Sequence, residues 1–80
     1  MEYVLVKWLD AQDHKDKWAD AEDVNQWAEK PCEIISIGFL VRKTEKYITI
    51  AGDYDDDDKD WGRVTKIPTA WLVSVEPLKP

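Results

Sequence analysis

The sequence predicts a small, mainly β domain, five strands rolled into a closed or half-closed barrel with one short helix in the long first connection. Three observations point that way. Short β-branched and aromatic runs recur along the chain, separated by turn residues. Only one segment, residues 20–30, carries helical spacing. Eighty residues suffice for one domain with one small core.

Residues 3–9 read as the first strand, β-branched and aromatic, with Asp10 ending the run. Residues 10–19 are polar and read as a loop. Asp20 fits a helix N-cap, with Asp23 three residues on imitating a capping box. Ala21, Val24, Trp27 and Ala28 then follow at helical spacing, and Pro31 ends the segment. Two turns are too short to stand alone. The helix is therefore expected to lean on the sheet through Val24 and Trp27 and to cap one open end of the barrel.

Residues 32–43 form the strongest strand. Ile35, Ile37, Phe39 and Val41 share one face; Ile34, Ser36, Gly38 and Leu40 share the other. Gly38 suggests a bend or the close approach of another backbone. Residues 43–46 make a turn, and residues 47–51 return as the partner strand. Gly52 to Gly62 reads as an acidic loop. Residues 63–67 make a short strand ended by Pro68, which has no N–H to offer a ladder. Thr69 and Ala70 make a tight turn. Residues 71–76 close the fold, with Trp71, Val73 and Val75 on one face.

This order of elements resembles SH3-like barrels. Ile67, Pro68, Thr69, Ala70, Trp71, Leu72 and Val73 look like the segment of that family in which a proline precedes a single helical turn and the closing strand. Residues 10–31 take the place of the long first loop. The acidic, aromatic first-loop signature with which peptide-binding SH3 domains take proline-rich ligands is not found, so the resemblance implies an architecture and no ligand. A second set is similar to small bacteriophage and prophage proteins: Trp8-Leu9-Asp10, the run Ser36 to Arg42, Ile67-Pro68, and Val73 to Val75. That resemblance implies a viral gene product acting in a bacterial cytoplasm, and no chemistry.

Composition narrows the function classes. Cys32 is the only cysteine, so no disulfide framework exists and a reducing cytoplasm is expected. Residues 1–7 lack the basic stretch and long apolar run of a signal peptide, and no apolar run reaches membrane-spanning length. Net charge is −6; residues 53–60 hold six aspartates and one lysine, a net −5, and everything else sums to −1. The acidity thus reads as one loop on a nearly neutral body, which favours a basic partner or a cation. Direct contact with a phosphate backbone needs clustered Lys and Arg; only Arg42 and Lys43 come close, and Glu45 dilutes them.

No catalytic constellation emerges. His14 has no second histidine beside it and no metal-ligand spacing to Cys32. Cys32 reads as a buried structural thiol. The three glycines are scattered and form no phosphate cradle. Asp53, Asp55 and Asp57 echo the start of a calcium loop, but position six is Asp58 instead of glycine and position twelve is Val64 instead of glutamate; no metal or cofactor is expected. Trp8, Trp27 and Trp71 fall on patterned apolar positions and read as core, whereas Trp18 and Trp61 do not.

The candidate binding site is therefore Asp53, Tyr54, Asp55, Asp56, Asp57, Asp58, Asp60 and Trp61. The carboxylates supply long-range attraction, and Tyr54 and Trp61 a desolvated contact. The expected function is a non-enzymatic interaction module that engages a basic protein. Three other readings stay open: a nucleic-acid mimic that inhibits a host nuclease or defence complex, whose acidic stripe Asp10, Asp13, Asp16, Asp20 and Asp23 would extend if the first loop lies beside residues 53–60; a structural subunit of a phage particle or homo-oligomer; and a loop that only keeps the chain soluble.

Overall fold

The computed structural model describes residues 1–79. Five strands form one antiparallel sheet: β1 (Tyr3–Asp10), β2 (Cys32–Lys43), β3 (Tyr47–Asp55), β4 (Asp60–Pro68) and β5 (Leu72–Leu78). Their spatial order is β4-β3-β2-β1-β5. A helix, α1 (Ala21–Ala28), lies between β1 and β2, and a 3-10 turn, Thr69–Trp71, precedes β5. The expected mainly β fold, five strands and one short helix are present. The sheet is open: β4 and β5 are its two edges and do not pair with each other.

One face of the sheet carries the core. Val4, Val6, Ile48, Ile50 and Ile67 are buried, and Trp8, Leu40, Leu72 and Val75 pack against them. The alternation in β1 and β3 fixes this, since every second residue of a strand points to the same side. Trp8 sits at the margin with its indole N–H satisfied, donating to Ser36 Oγ at 3.1 Å. Among the described residues no buried side-chain polar atom lacks a partner.

β2 serves two neighbours in succession. Its first part, Cys32 to Phe39, pairs with β1 along that strand's whole length. Its last part, from Phe39 to Lys43, pairs with β3, with a bulge at Val41. Gly38 stands at the changeover. A Cβ there would lie 2.6 Å from the carbonyl oxygen of Ala51, so the close backbone approach expected of this glycine is real. Beyond the Phe39–Ala51 pair, β2 and β3 part company, and residues 32–38 have a strand on one side only.

The helix departs from expectation. Its cap forms as read: Asp20 Oδ1 accepts the Asp23 N–H at 2.9 Å. No helix residue is buried, however, and Val24 is exposed. Trp27 meets the His14 ring edge-on at 5.1 Å. It also borders a groove of about 270 Å³ with Leu9, Pro31 and Cys32. The helix stands beyond the end of the β1–β2 hairpin and does not seal the core. Cys32 is correspondingly half-buried. A two-turn segment with a single large apolar side chain has too little surface to bind it firmly to a sheet.

The last strand also departs. Trp71 belongs to the 3-10 turn, and both it and Val73 are exposed; Leu72 and Val75 face the core instead. The turn shifts the alternation, and the register between β1 and β5 slips where Trp8 meets Leu72. The Thr69 N–H donates to the Lys46 carbonyl at 2.8 Å, and its hydroxyl donates to the Glu45 carbonyl at 2.5 Å, which ties this turn to the β2–β3 connection.

Candidate functional site

The acidic segment is not an eleven-residue loop. β3 continues through Gly52, Asp53, Tyr54 and Asp55, and β4 begins at Asp60, so only Asp56 to Lys59 lie outside strands. The aspartates ride on the tip of a two-stranded ribbon. Asp are poor strand formers, yet two local interactions hold the ribbon. Tyr54 and Trp61 are directly opposite each other with ring centroids 4.6 Å apart, and the Trp61 ring lies 5.9 Å from that of Phe39. Asp53 faces Gly62, and from the next position of β4 Arg63 Nε donates to Asp53 Oδ2 at 2.6 Å, with a second contact from Nη2 to Oδ1 at 3.3 Å.

The turn is built by its own side chains. Asp55 Oδ1 accepts the N–H groups of Asp57 and Asp58 at 3.0 and 3.3 Å, and Lys59 returns the chain with φ of 62°. This side-chain mimicry of a backbone turn is what aspartate does well. Lys59 Nζ reaches Asp56 at 3.1 Å, both groups open to solvent.

The eight predicted site residues are thus brought together on one ribbon, but they are not equivalent. Asp53 is neutralised by Arg63, whose guanidinium holds its carboxyl below the usual value of 3.8. Asp55 spends one oxygen on the turn, and Asp56 faces Lys59. Asp57, Asp58 and Asp60 have no cationic partner among the described residues. Trp61 is 36% exposed, an aromatic surface at the foot of the charged tip. Trp18, by contrast, is 88% exposed and touches no other ring. Among the described residues no group of three His, Cys, Asp or Glu is arranged to hold a metal ion. His14 accepts the Asp16 N–H at Nδ1. No helix of the described residues is long and apolar enough to cross a membrane.

The body is not uniformly neutral. Residues 10–30, the connection bearing α1, hold seven carboxylates against three lysines, a net −4 that the total concealed. β1 ends, β2 begins, β3 ends and β4 begins at the same end of the antiparallel sheet. The acidic ribbon and the acidic helical connection therefore both leave from that end. Arg42, Lys43, Lys46, Lys66 and Lys79 lie toward the other. No protein-family model, curated protein or solved structure matches the chain.

Proposed function

We propose that the chain is a non-enzymatic interaction module that uses the Asp53–Trp61 ribbon to engage a protein with a basic surface. The observation that carries this reading is the pairing, on one ribbon tip, of three carboxylates without cationic partners among the described residues and a partly exposed, tilted Trp61–Tyr54 ring pair. Asp57, Asp58 and Asp60 attract over a distance limited by the Debye length, about 8 Å at physiological salt. Trp61 and Tyr54 then offer the apolar contact that desolvates and anchors. The strand order and the 3-10 turn before β5 support an SH3-like architecture left unclosed. The resemblance to phage proteins supports a bacterial cytoplasm as the setting.

The test replaces Asp55, Asp56, Asp57 and Asp58 with asparagine. Asparagine keeps a side-chain oxygen for the turn, so the fold should survive. Partner recovered from a bacterial lysate by the parent chain should be lost by the variant and by raised salt. Equal recovery by both chains rejects the reading.

A second reading, mimicry of nucleic acid, is favoured by the shared exit of the two acidic segments. It predicts that asparagine at Asp13, Asp16 and Asp20 weakens capture as much as the ribbon substitutions do. Asparagine at Asp20 still caps α1. Capture that is insensitive to these three leaves the ribbon alone as the binding element.

A further inference from the structure

We infer that the free edge of β2, residues 33–37, accepts an extended peptide from the partner by strand addition, the peptide being apolar at alternate positions and basic toward its C-terminal end. This deepens the proposed function and rests on it for the sign of the partner's charge.

The edge is chemically specific. Leu40 N–H donates to the Glu2 carbonyl at 2.8 Å. In an antiparallel ladder this fixes the phase: even-numbered residues of β2 turn their N–H and C=O toward β1, and odd-numbered residues turn theirs away. Phe39 spends its outward pair on Ala51 of β3. Glu33, Ile35 and Ile37 face β1 on one side and have no strand on their outward side. Among the described residues no hydrogen bond outside the ladders reaches their backbones. Three donors and three acceptors thus stand in a row with the spacing of a strand.

Beyond Glu33 the edge is undefended. Native edges are usually blunted by lysine, proline, a bulge or a covering element. Here the row reads Glu33, Ile34, Ile35, Ser36, Ile37, with the bulge placed beyond it at Val41. Ile35 is 60% and Ile37 64% exposed, two large β-branched side chains left open to water side by side on one face of the edge. A strand laid along the edge would set its own apolar side chains beside them as cross-strand neighbours.

What lies next to the edge selects the occupant. β2 and β3 diverge from the Phe39–Ala51 pair and leave a notch of about 300 Å³, bordered by Ser36, Ile37, Ile50, Gly52, Arg63 and Thr65. Arg63 stands at the closed end, already satisfied by Asp53. The open end carries Glu33 on one side and the ribbon with Asp55 to Asp60 on the other. A second copy of this chain would bring its own acidic segments to an acidic site. An incoming strand antiparallel to β2 starts at the apex and runs outward, so its later residues meet the carboxylates. Main-chain hydrogen bonds would give affinity and the alternate side chains selectivity, as in other strand additions.

The test uses an eight-residue synthetic peptide of alternating valine and lysine, titrated into the ¹⁵N-labelled full chain and followed by NMR. The amides of Glu33, Ile35 and Ile37 should shift downfield and gain protection from solvent exchange. Backbone N-methylation of alternate peptide residues, in the phase that faces β2, should weaken binding roughly tenfold to hundredfold, the loss expected for two or three backbone hydrogen bonds. A valine–glutamate peptide should not bind. Ile35→Pro removes an outward N–H at a position edge strands tolerate, and should abolish the response; if that variant does not fold, the N-methylated peptide decides the matter alone. Shifts confined to Asp55–Trp61 and unaffected by N-methylation overturn strand addition and leave the acidic ribbon as the binding element. No response to any peptide at millimolar concentration overturns both. Concentration-dependent shifts of the same amides without peptide also overturn it, since the edge then serves self-association.

Discussion

Gly38→Ala tests the central construction of this sheet. The added Cβ would sit 2.6 Å from the Ala51 carbonyl oxygen and 3.2 Å from its carbon, where ordinary contact starts at 3.4 Å, so the backbones must open by about 0.8 Å. Ala51 has little freedom to yield. It is buried, and it pairs with Phe39 on one side and Val64 on the other. Overpacking against such a neighbour costs about 1–3 kcal/mol. Restricting the unfolded chain by replacing glycine returns about 0.4–1 kcal/mol. The net is a loss of about 1.3 kcal/mol, which in a chain of this size lowers Tm by roughly 5–10 °C. Thermal unfolding followed by tryptophan fluorescence measures it. Gly62→Ala is the control, because its Cβ would make only ordinary contacts with the Asp53 side chain, Cβ at 3.4 Å and Oδ2 at 3.7 Å, and its Tm should stay within about 4 °C of the parent. A Gly38→Ala chain as stable as the parent would mean that β2 does not press against Ala51, and the changeover of partners at Gly38 would be wrong.

Three further outcomes are expected. Lys59→Gly relieves a left-handed backbone at φ of 62° and loses only an exposed ion pair; it should stabilise the chain by about 0.5–1 kcal/mol in urea unfolding. The Asp53 carboxyl, held down by the hydrogen bond from Arg63, should titrate below 3.8 by carbon-detected NMR and return to the ordinary range in Arg63→Gln. Because the folded value is the lower one, the pairing is in force above about pH 4 and is lost as pH falls through that lowered value; both groups are open to solvent, so the effect is read as local order of the ribbon. Thr69→Val removes the hydroxyl donated to Glu45, and should lower stability by about 0.5–1.5 kcal/mol in the same urea assay.

β1 and β2 were legible to within a residue because their apolar positions alternate and their ends carry Asp10 and Lys43. The helix cap was legible because Asp20 makes its contact locally. What failed depended on partners distant in sequence. The strand extensions through Asp53 and Asp60 run against aspartate's preference and are held by Trp61, Tyr54 and Arg63 from across the ribbon. The signal was present in the alternation of Asp53, Tyr54 and Asp55, but the density of charge overrode it. The phase of β5 is not legible in the sequence, because Trp71 has the apolar, aromatic character of a strand residue and yet closes the 3-10 turn. The stance of α1 could not be read at all, since nothing in residues 20–30 reports how much surface the sheet offers it. The eight candidate site residues do gather on one element, though the division between neutralised Asp53 and uncompensated Asp57, Asp58 and Asp60 needed coordinates.

The chain measures 53 × 24 × 22 Å, with a radius of gyration of 16.3 Å, against about 12 Å for a compact domain of this length. A single copy will therefore diffuse slowly for its mass and leave a sizing column early, at the position of a larger compact protein. An early peak is what one molecule of this elongated shape should give, so copy number has to come from absolute mass, by light scattering or equilibrium sedimentation.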